Sequence, residues 1–473
     1  MSFLLIGCTA RLIPPLLFSS VELDIALNQS LQACVALAGS GGEQSMGNTP
    51  EHSRSTPEYQ EACKKFHQSG LESLKKLYVS LAAQSRSNGK FISASAFQAY
   101  FGIHGALGNR LFDLVTQMRK DQAMYYEDLV IAKAKYEKGD PTEIEDFEFQ
   151  LMDLTGDGKV QRTEVEAVII SILATVLGPS DTVVDAGLPE YILRAFLNAV
   201  DFSLRPETEA EEECMTQEDF RKWLERVPSI KKFMGSLLKA PHAEEVVVGR
   251  EVPSLLIPDG VDCSTLMRKE YAWHIAGPLQ LQETKDWVLL YHSSVNGSSF
   301  NTFLGHVSVA RGPSILVVKD KQGNIFGGYA SQPWEKHSDF YGDMKSFLFT
   351  LHPRLSIYRC SGKNNNIQWC AASFVSESLP NGVGFGGQIH HFGLFLSSTF
   401  DRGHSRPSVT FSSPMLSSTA EFQPDIIECW GVVLEPDGDN HSGAEKLKGT
   451  VLERFKEDRQ MLNMVGIANA SNE

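Results

Sequence analysis

The sequence predicts an α+β, multidomain chain: an all-α region, then a β-sandwich with a few helices, then a last amphipathic helix. Three observations carry this. From Tyr59 to about residue 240, apolar residues recur three and four apart, the spacing of one helix face. From about residue 250, short runs rich in Val, Ile, Leu, Phe and Tyr alternate with Gly, Asn, Ser and Pro clusters, as strands alternate with turns. The length of 473 residues exceeds one ordinary core, and no repeat of solenoid length occurs.

Residues 1–58 read as an extension. "MSFLLIGCTARLIPPLLFSS" is apolar, but it lacks a positive n-region and is interrupted by Arg11, Pro14 and Pro15. It is too short and broken for a membrane span and makes a poor secretory signal. Were translation to begin at Met46, Gly47 would resemble a myristoylation acceptor, with Glu51 where Ser or Thr is usual.

Residues 59–240 read as helical. "EACKKFHQSGLESLKKLYVSLAAQS" and "NRLFDLVTQMRKDQAMYYEDLVIAKAKYEKG" are each expected to run as helix. "VEAVIISILATVLG" is a strongly apolar helix closed by Gly178 and Pro179, and "LPEYILRAFLNAV" and "DFRKWLERVPSIKKFMGSLL" follow. The acidic "RPETEAEEECMTQED" reads as a solvated loop. The character changes at "APHAEEVVVGREVPS". Over 250–436 the expected strands are "WVLLYHSS", "SILVVKD", "IFGGYAS", "FLFTL", "LSIYRC", "FGLFLSS", "PSVTF" and "IIECWGVVL". A helix over 444–466 closes the chain, with Leu447, Val451, Phe455 and Leu462 along one stripe.

The formal net charge of −15, with no basic run, excludes a nucleic-acid binder. The eight cysteines form no C-x-x-C pair, so neither a zinc site nor a disulfide framework is indicated; reduced thiols in a cytoplasmic protein are the plain reading.

One motif carries chemistry. "DLTGDGKVQRTE", residues 153–164, has the spacing of a calcium-binding EF-hand loop. Calcium takes six or more hard oxygens at flexible distances, which a twelve-residue loop around a tight turn supplies. Asp153, Thr155 and Asp157 stand at positions one, three and five, and Gly158 provides the turn at six. Lys159 offers its carbonyl at seven, Gln161 acts through a water at nine, and Glu164 gives the bidentate carboxylate at twelve. Thr155 replaces the usual Asp or Asn, so three carboxylates face the ion and weaker affinity than with four is expected. Around it, 208–219 and 84–101 read as degenerate hands lacking the ligand pattern.

The β-rich half shows no catalytic constellation. "GVGFGGQ" lacks the phosphate-loop spacing, and its glycines are expected to serve a tight turn or close packing. His390 and His391 would point to opposite faces of a strand. No serine lies in a G-x-S-x-G elbow. Glu428 beside Cys429 could pair a base with a thiol, but a buried strand cysteine is the commoner reading. The chain is read as a non-enzyme.

Several of these runs occur in an order that resembles a TLDc domain: "WVLLYHSS", "GSSFNTFLGHV", "ILVVKDKQGNIFGGYASQPW", "GVGFGGQIHHFGLFL" and "IIECWGV". The matching positions include Gly327, Gly328, Tyr329, Trp334, Gly384, Phe385, Gly386, Gly393, Glu428, Trp430 and Gly431. A departure is Phe395 followed by Leu396, Ser397 and Ser398, where many members carry Trp and then an acidic residue. The whole chain resembles the lysosomal mTOR-associated (MEAK-like) TLDc subgroup, with EF-hand-like helices in front and a helix behind.

The resemblance implies a β-sandwich without established catalysis. It also implies binding to the vacuolar proton-pumping ATPase, links to TOR signalling and oxidative-stress resistance, and peripheral placement on the lysosomal or vacuolar membrane. The leading expectation is a calcium-regulated interaction protein that binds such a complex through its TLDc domain and last helix. Two alternatives stand beside it: a calcium sensor with a passive β-domain, and a thiol-based oxidative-stress protein.

Overall fold

The structure is a computed structural model and describes residues 56–434, apart from 86, 88, 118, 179–188, 204–212, 240–246, 248 and 373–378. The extension, its Gly47 and the helix expected over 444–466 lie outside the described residues.

The helical region comprises α1 (Pro57–Lys64), α2 (Gln68–Gln84), β1 (Ile92–Ser93), α3 (Ala94–Phe101), α4 (Gly105–Val115), β2 (Ala123–Met124) and α5 (Tyr126–Lys138). It continues through α6 (Pro141–Gln150), β3 (Val160–Gln161), α7 (Arg162–Leu177), α8 (Glu190–Leu197), β4 (Cys214–Met215), α9 (Gln217–Arg226) and α10 (Pro228–Met234). Local chemistry sets these boundaries. At α6 the Asp140 side chain accepts from the N–H groups of Thr142 and Glu143, Glu143 reaches back to the Asp140 N–H, and Pro141 sits where no N–H is needed. α7 buries Val165, Val168, Ile169, Ile172 and Leu173, a stripe at helical spacing.

The long run from Asn109 to Gly139 is not one helix. It breaks at Thr116, crosses a loop and the two-residue β2, and resumes at Tyr126. Gln117, with φ 53°, takes left-handed backbone just past the helix end although no Gly or Pro marks the place, and Gln122, with φ 48°, turns the loop that follows.

The second half comprises β5 (Ser254–Leu256), α11 (Lys269–Ala276), β6 (Asp286–His292), α12 (Ser293–Asn296), α13 (Phe300–Val307), β7 (Ser314–Asp320) and β8 (Ile325–Ala330). Then come β9 (Phe347–His352), β10 (Ser356–Arg359), β11 (Gln368–Ala371), β12 (Gly382–Phe385), β13 (Leu394–Ser397), β14 (Gly403–His404), β15 (Glu421–Phe422) and β16 (Pro424–Val433). They form two sheets, ordered β10-β9-β8-β7-β16-β6-β5 and β11-β12-β13-β14-β15. All pairings are antiparallel except β5 with β6.

Strand alternation explains how the layers stack. On β7, Leu316 and Val318 face the second sheet, whereas Ile315 and Val317 face the core shared with the helices. On β9, Leu348 points to the sandwich interior and Phe347, Phe349 and Leu351 to the helical side. The larger sheet is therefore a middle layer, apolar on both faces. Its strands read as continuous apolar runs for that reason. One core runs from Phe97 through Trp223 and Trp273 to Trp430, so the helical region and the sandwich fold against each other.

Some local expectations are corrected. "PSVTF" is not a strand, and only an isolated bridge joins Ser408 to Ser413. "HHFGLFL" does not begin as a strand: His390 has φ 65° in a turn, and β13 starts at Leu394. Conversely, the first four residues of "GVGFGGQ" form a buried central strand, with the turn confined to Gly386 and Gly387.

Candidate metal centre

The loop 153–164 joins α6 to α7, and β3 within it pairs with β4, placing Val160 opposite Met215. A second pairing of the same kind sets Ile92 opposite Met124. Among the described residues the helices thus form four helix–loop–helix units joined in two pairs by these short strands: α2/α3 with α4/α5, and α6/α7 with α8/α9. The unit at 117–128 was not apparent in the sequence. Its faint signals were Asp121 at position five, apolar Met124 at eight and Asp128 at twelve.

Each of the six candidate ligand residues lies in this loop. Gly158, φ 84°, makes the turn; the space beside it is open, so the backbone angle alone calls for glycine. Asp153 is buried: Oδ1 accepts from Gly156 N–H at 2.7 Å, and Oδ2 from Gly158 N–H at 3.0 Å. Asp157 Oδ1 accepts from Lys159 N–H at 2.8 Å. Glu164, also buried, accepts from Thr155 N–H at 2.8 Å and from Gln161 N–H at 2.9 Å. Thr155 and Lys159 are exposed, and Gln161 is half-buried.

The donor set fits calcium: three carboxylates, the Thr155 hydroxyl and the Lys159 carbonyl are hard oxygens on one short loop. In the arrangement described, however, the carboxylates turn to backbone N–H groups. Among the described residues, no three or more His, Cys, Asp and Glu side chains gather as a metal cluster. The buried Arg110 guanidinium, from α4 of the neighbouring pair, stands 3.7 Å from Asp153 Oδ2 and also donates to Gln150 O at 3.2 Å. It places a positive charge beside the first ligand position.

The hand paired with this loop docks on the sandwich. The turn between β9 and β10 meets the end of α8: Leu355 N–H donates to Ala195 O at 3.1 Å and Asn198 Nδ2 to Pro353 O at 2.9 Å. Asp201 takes Arg226 at 2.7 Å on one oxygen and Arg354 at 3.0 Å on the other. Hydrogen bonding from Arg226, with Arg354 beyond it, holds the Asp201 carboxyl below its ordinary range despite partial burial.

Behind this contact, Phe196 lies against Trp273 and His274 of α11. Burial pushes the His274 pKa down to about 3. The folded protein therefore holds this ring neutral while the unfolded chain protonates it below about 6.5. Stability from this group is complete above that pH and is lost as pH falls toward 3. Denaturant melts of wild type and His274→Leu are expected to differ by this contribution, about 2 kcal/mol lost between pH 6.5 and 5 in wild type only, so the variant's profile is flatter.

The sandwich presents no activated thiol among Cys263, Cys360, Cys370 and Cys429. Burial raises all four, Cys370 and Cys429 to about 12. Glu428 does not serve Cys429 as a base. It accepts from Leu266 N–H, from Met267 N–H at 3.2 Å and from Trp430 Nε1 at 2.9 Å, with His292 Nε2 at 3.6 Å. Among the described residues, no helix is long and apolar enough to cross a membrane.

This two-sheet sandwich, with an aromatic interior and Glu428 at its centre, is a TLDc domain: residues 261–433 match that family. In sequence the chain is similar to the MTOR-associated protein MEAK7 of Danio rerio, 33% identical over 251 residues, 52% of this chain and 54% of that protein. It is likewise similar to the MTOR-associated protein MEAK7 of Homo sapiens, 32% identical over 219 residues, 44% of this chain and 47% of that protein. Oxidation resistance protein 1 of Rattus norvegicus is 29% identical over 144 residues, 30% of this chain and 16% of that protein. The chain spans about half the length of the curated relatives it matches.

Proposed function

We propose that this chain is a non-catalytic regulatory protein acting in TOR-associated signalling, with the TLDc domain as its interaction module and calcium at 153–164 as its control. The TOR association rests on the names of the relatives. The vacuolar proton-pumping ATPase as partner, and a peripheral place on the lysosomal membrane, rest on the TLDc resemblance.

One observation carries the regulatory reading. The hand that shares a β-pair with the calcium loop also holds the β9–β10 turn of the sandwich through Ala195, Asn198 and Asp201. In this reading calcium, taken by both Glu164 oxygens, competes with the N–H groups of Thr155 and Gln161 that those oxygens now accept, and shifts the start of α7 and the β3–β4 pair. By the same reading the shift passes through β4 to α8 and α9 and so to the turn they hold. On this reading the sandwich takes part in the response, and the raised thiols count against a cysteine-based activity.

The test is affinity purification of the full chain with calcium or with chelator, beside Asp201→Asn. Calcium is expected to change the recovery of TOR-complex or proton-pump subunits by several-fold, and Asp201→Asn to blunt that change. Identical recovery under both conditions would remove calcium control. Recovery of neither complex would remove the partner assignment.

A further inference from the structure

The loop at 117–128 has the register of the calcium loop. Aligned on the paired strands, Met124 holds position eight, Tyr125 nine and Asp128 twelve. In three loops the N–H at position nine donates to the carboxylate at twelve: Tyr125 to Asp128 at 2.8 Å, Gln161 to Glu164 at 2.9 Å, and Thr216 to Asp219 at 3.0 Å. Gln122, with φ 48°, makes the turn at position six, the place of Gly158 in the other loop.

The difference lies at the second oxygen of the position-twelve carboxylate. In the calcium loop, Glu164 Oε1 accepts the backbone N–H of Thr155, at position three. At 117–128, Asp128 Oδ1 instead accepts the side chain of position three, Arg119, with Nη2 at 2.9 Å. Asp128 is only 1% exposed. The guanidinium also lies over the Tyr125 ring, 5.1 Å from its centroid. A carboxylate buried to that degree requires a cation or enough donors to replace its water. Position three ordinarily lends an oxygen to the metal; here it lends a positive charge.

We propose that Arg119 is the resident cation of the 117–128 loop, so that an internal ion pair holds this hand and calcium does not govern it. The first pair of hands is then a fixed base on which the second can move. The internal-cation assignment stands without the calcium reading of 153–164, because it concerns a different loop and a different carboxylate.

A double-mutant cycle on the full chain tests it. Arg119→Gln is expected to lower the thermal midpoint by about 2–4 °C. In an Asp128→Asn background the same replacement shifts it far less, because no buried charge is left to neutralise. Burial already pushes the Asp128 carboxyl above its ordinary range. Removing Arg119 raises it further, so the deficit of Arg119→Gln narrows as pH falls. Additive effects of the two replacements, or a deficit indifferent to pH, overturn the proposal. Calcium calorimetry provides a separate arm: Asp128→Asn is expected to leave the calcium stoichiometry of the wild type unchanged. Loss of a calcium equivalent in that variant would show that the loop takes the metal itself, and would equally overturn it.

Discussion

Replacing Glu164 with glutamine is expected to weaken calcium binding about 100-fold or more, because the bidentate ligand and one of three carboxylates are lost together. The loop should still fold. A glutamine oxygen retains one of the two N–H bonds now made to Thr155 and Gln161, so the stability loss is held to about 1 kcal/mol. Calorimetry on both proteins, with thermal melts alongside, separates the two effects. Equal calcium heats would mean that Glu164 is not a ligand. A protein that melts far earlier would mean its main task is to tie β3 to α7.

Arg110 sharpens the same measurement. Its guanidinium stands beside Asp153 in a buried setting, where charge is weakly screened. A divalent cation entering the loop meets that charge, and Thr155 offers no compensating carboxylate. Both features are expected to lower the calcium affinity that calorimetry reads at this loop.

The helix–loop–helix unit at 153–164 was legible in the sequence because its signals are local: spacing, glycine and flanking helices all lie within some forty residues. The hand at 117–128 was not, because Arg119 and Gln122 stand where an oxygen ligand and a glycine are usual, and apolar residues continue at helical spacing across the break. In the sandwich, the strands of the larger sheet could be read as apolar runs since both of their faces are covered. β12 was hidden by its glycines. They look like a turn alone, yet Phe385 of this strand packs its ring on Gly328 of β8, where an added Cβ would stand 2.8 Å from it. Such a contact joins strands some sixty residues apart and leaves no local mark. The docking of α8 on the β9–β10 turn was invisible for the same reason, since Asn198 and Pro353 are 155 residues apart.

Glu428→Met is expected to destabilise the fold by about 3–5 kcal/mol, more than its volume would suggest. Glu428 lies on β16, between β7 and β6, fully shielded from water, and ties the segment that leads into α11 to the centre of the sheet. Methionine fills the space but accepts nothing, leaving the N–H groups of Leu266, Met267 and Trp430 without an acceptor. Glutamine should fall between, at about 1–3 kcal/mol, because three N–H donors converge on two oxygens and its NH2 must face one of them. Denaturant melts followed by circular dichroism read this globally, since six tryptophans share the fluorescence of Trp430, whose indole donates to the same carboxylate. A methionine variant as stable as wild type would show that packing alone holds this segment. The pH response distinguishes Glu428 from His274. Burial raises the Glu428 carboxyl against its N–H donors and His292, so acidification protonates it earlier in the folded state than in the unfolded chain. Its contribution therefore grows on acidification where that of His274 shrinks. The net acid sensitivity should steepen in Glu428→Gln and flatten in His274→Leu.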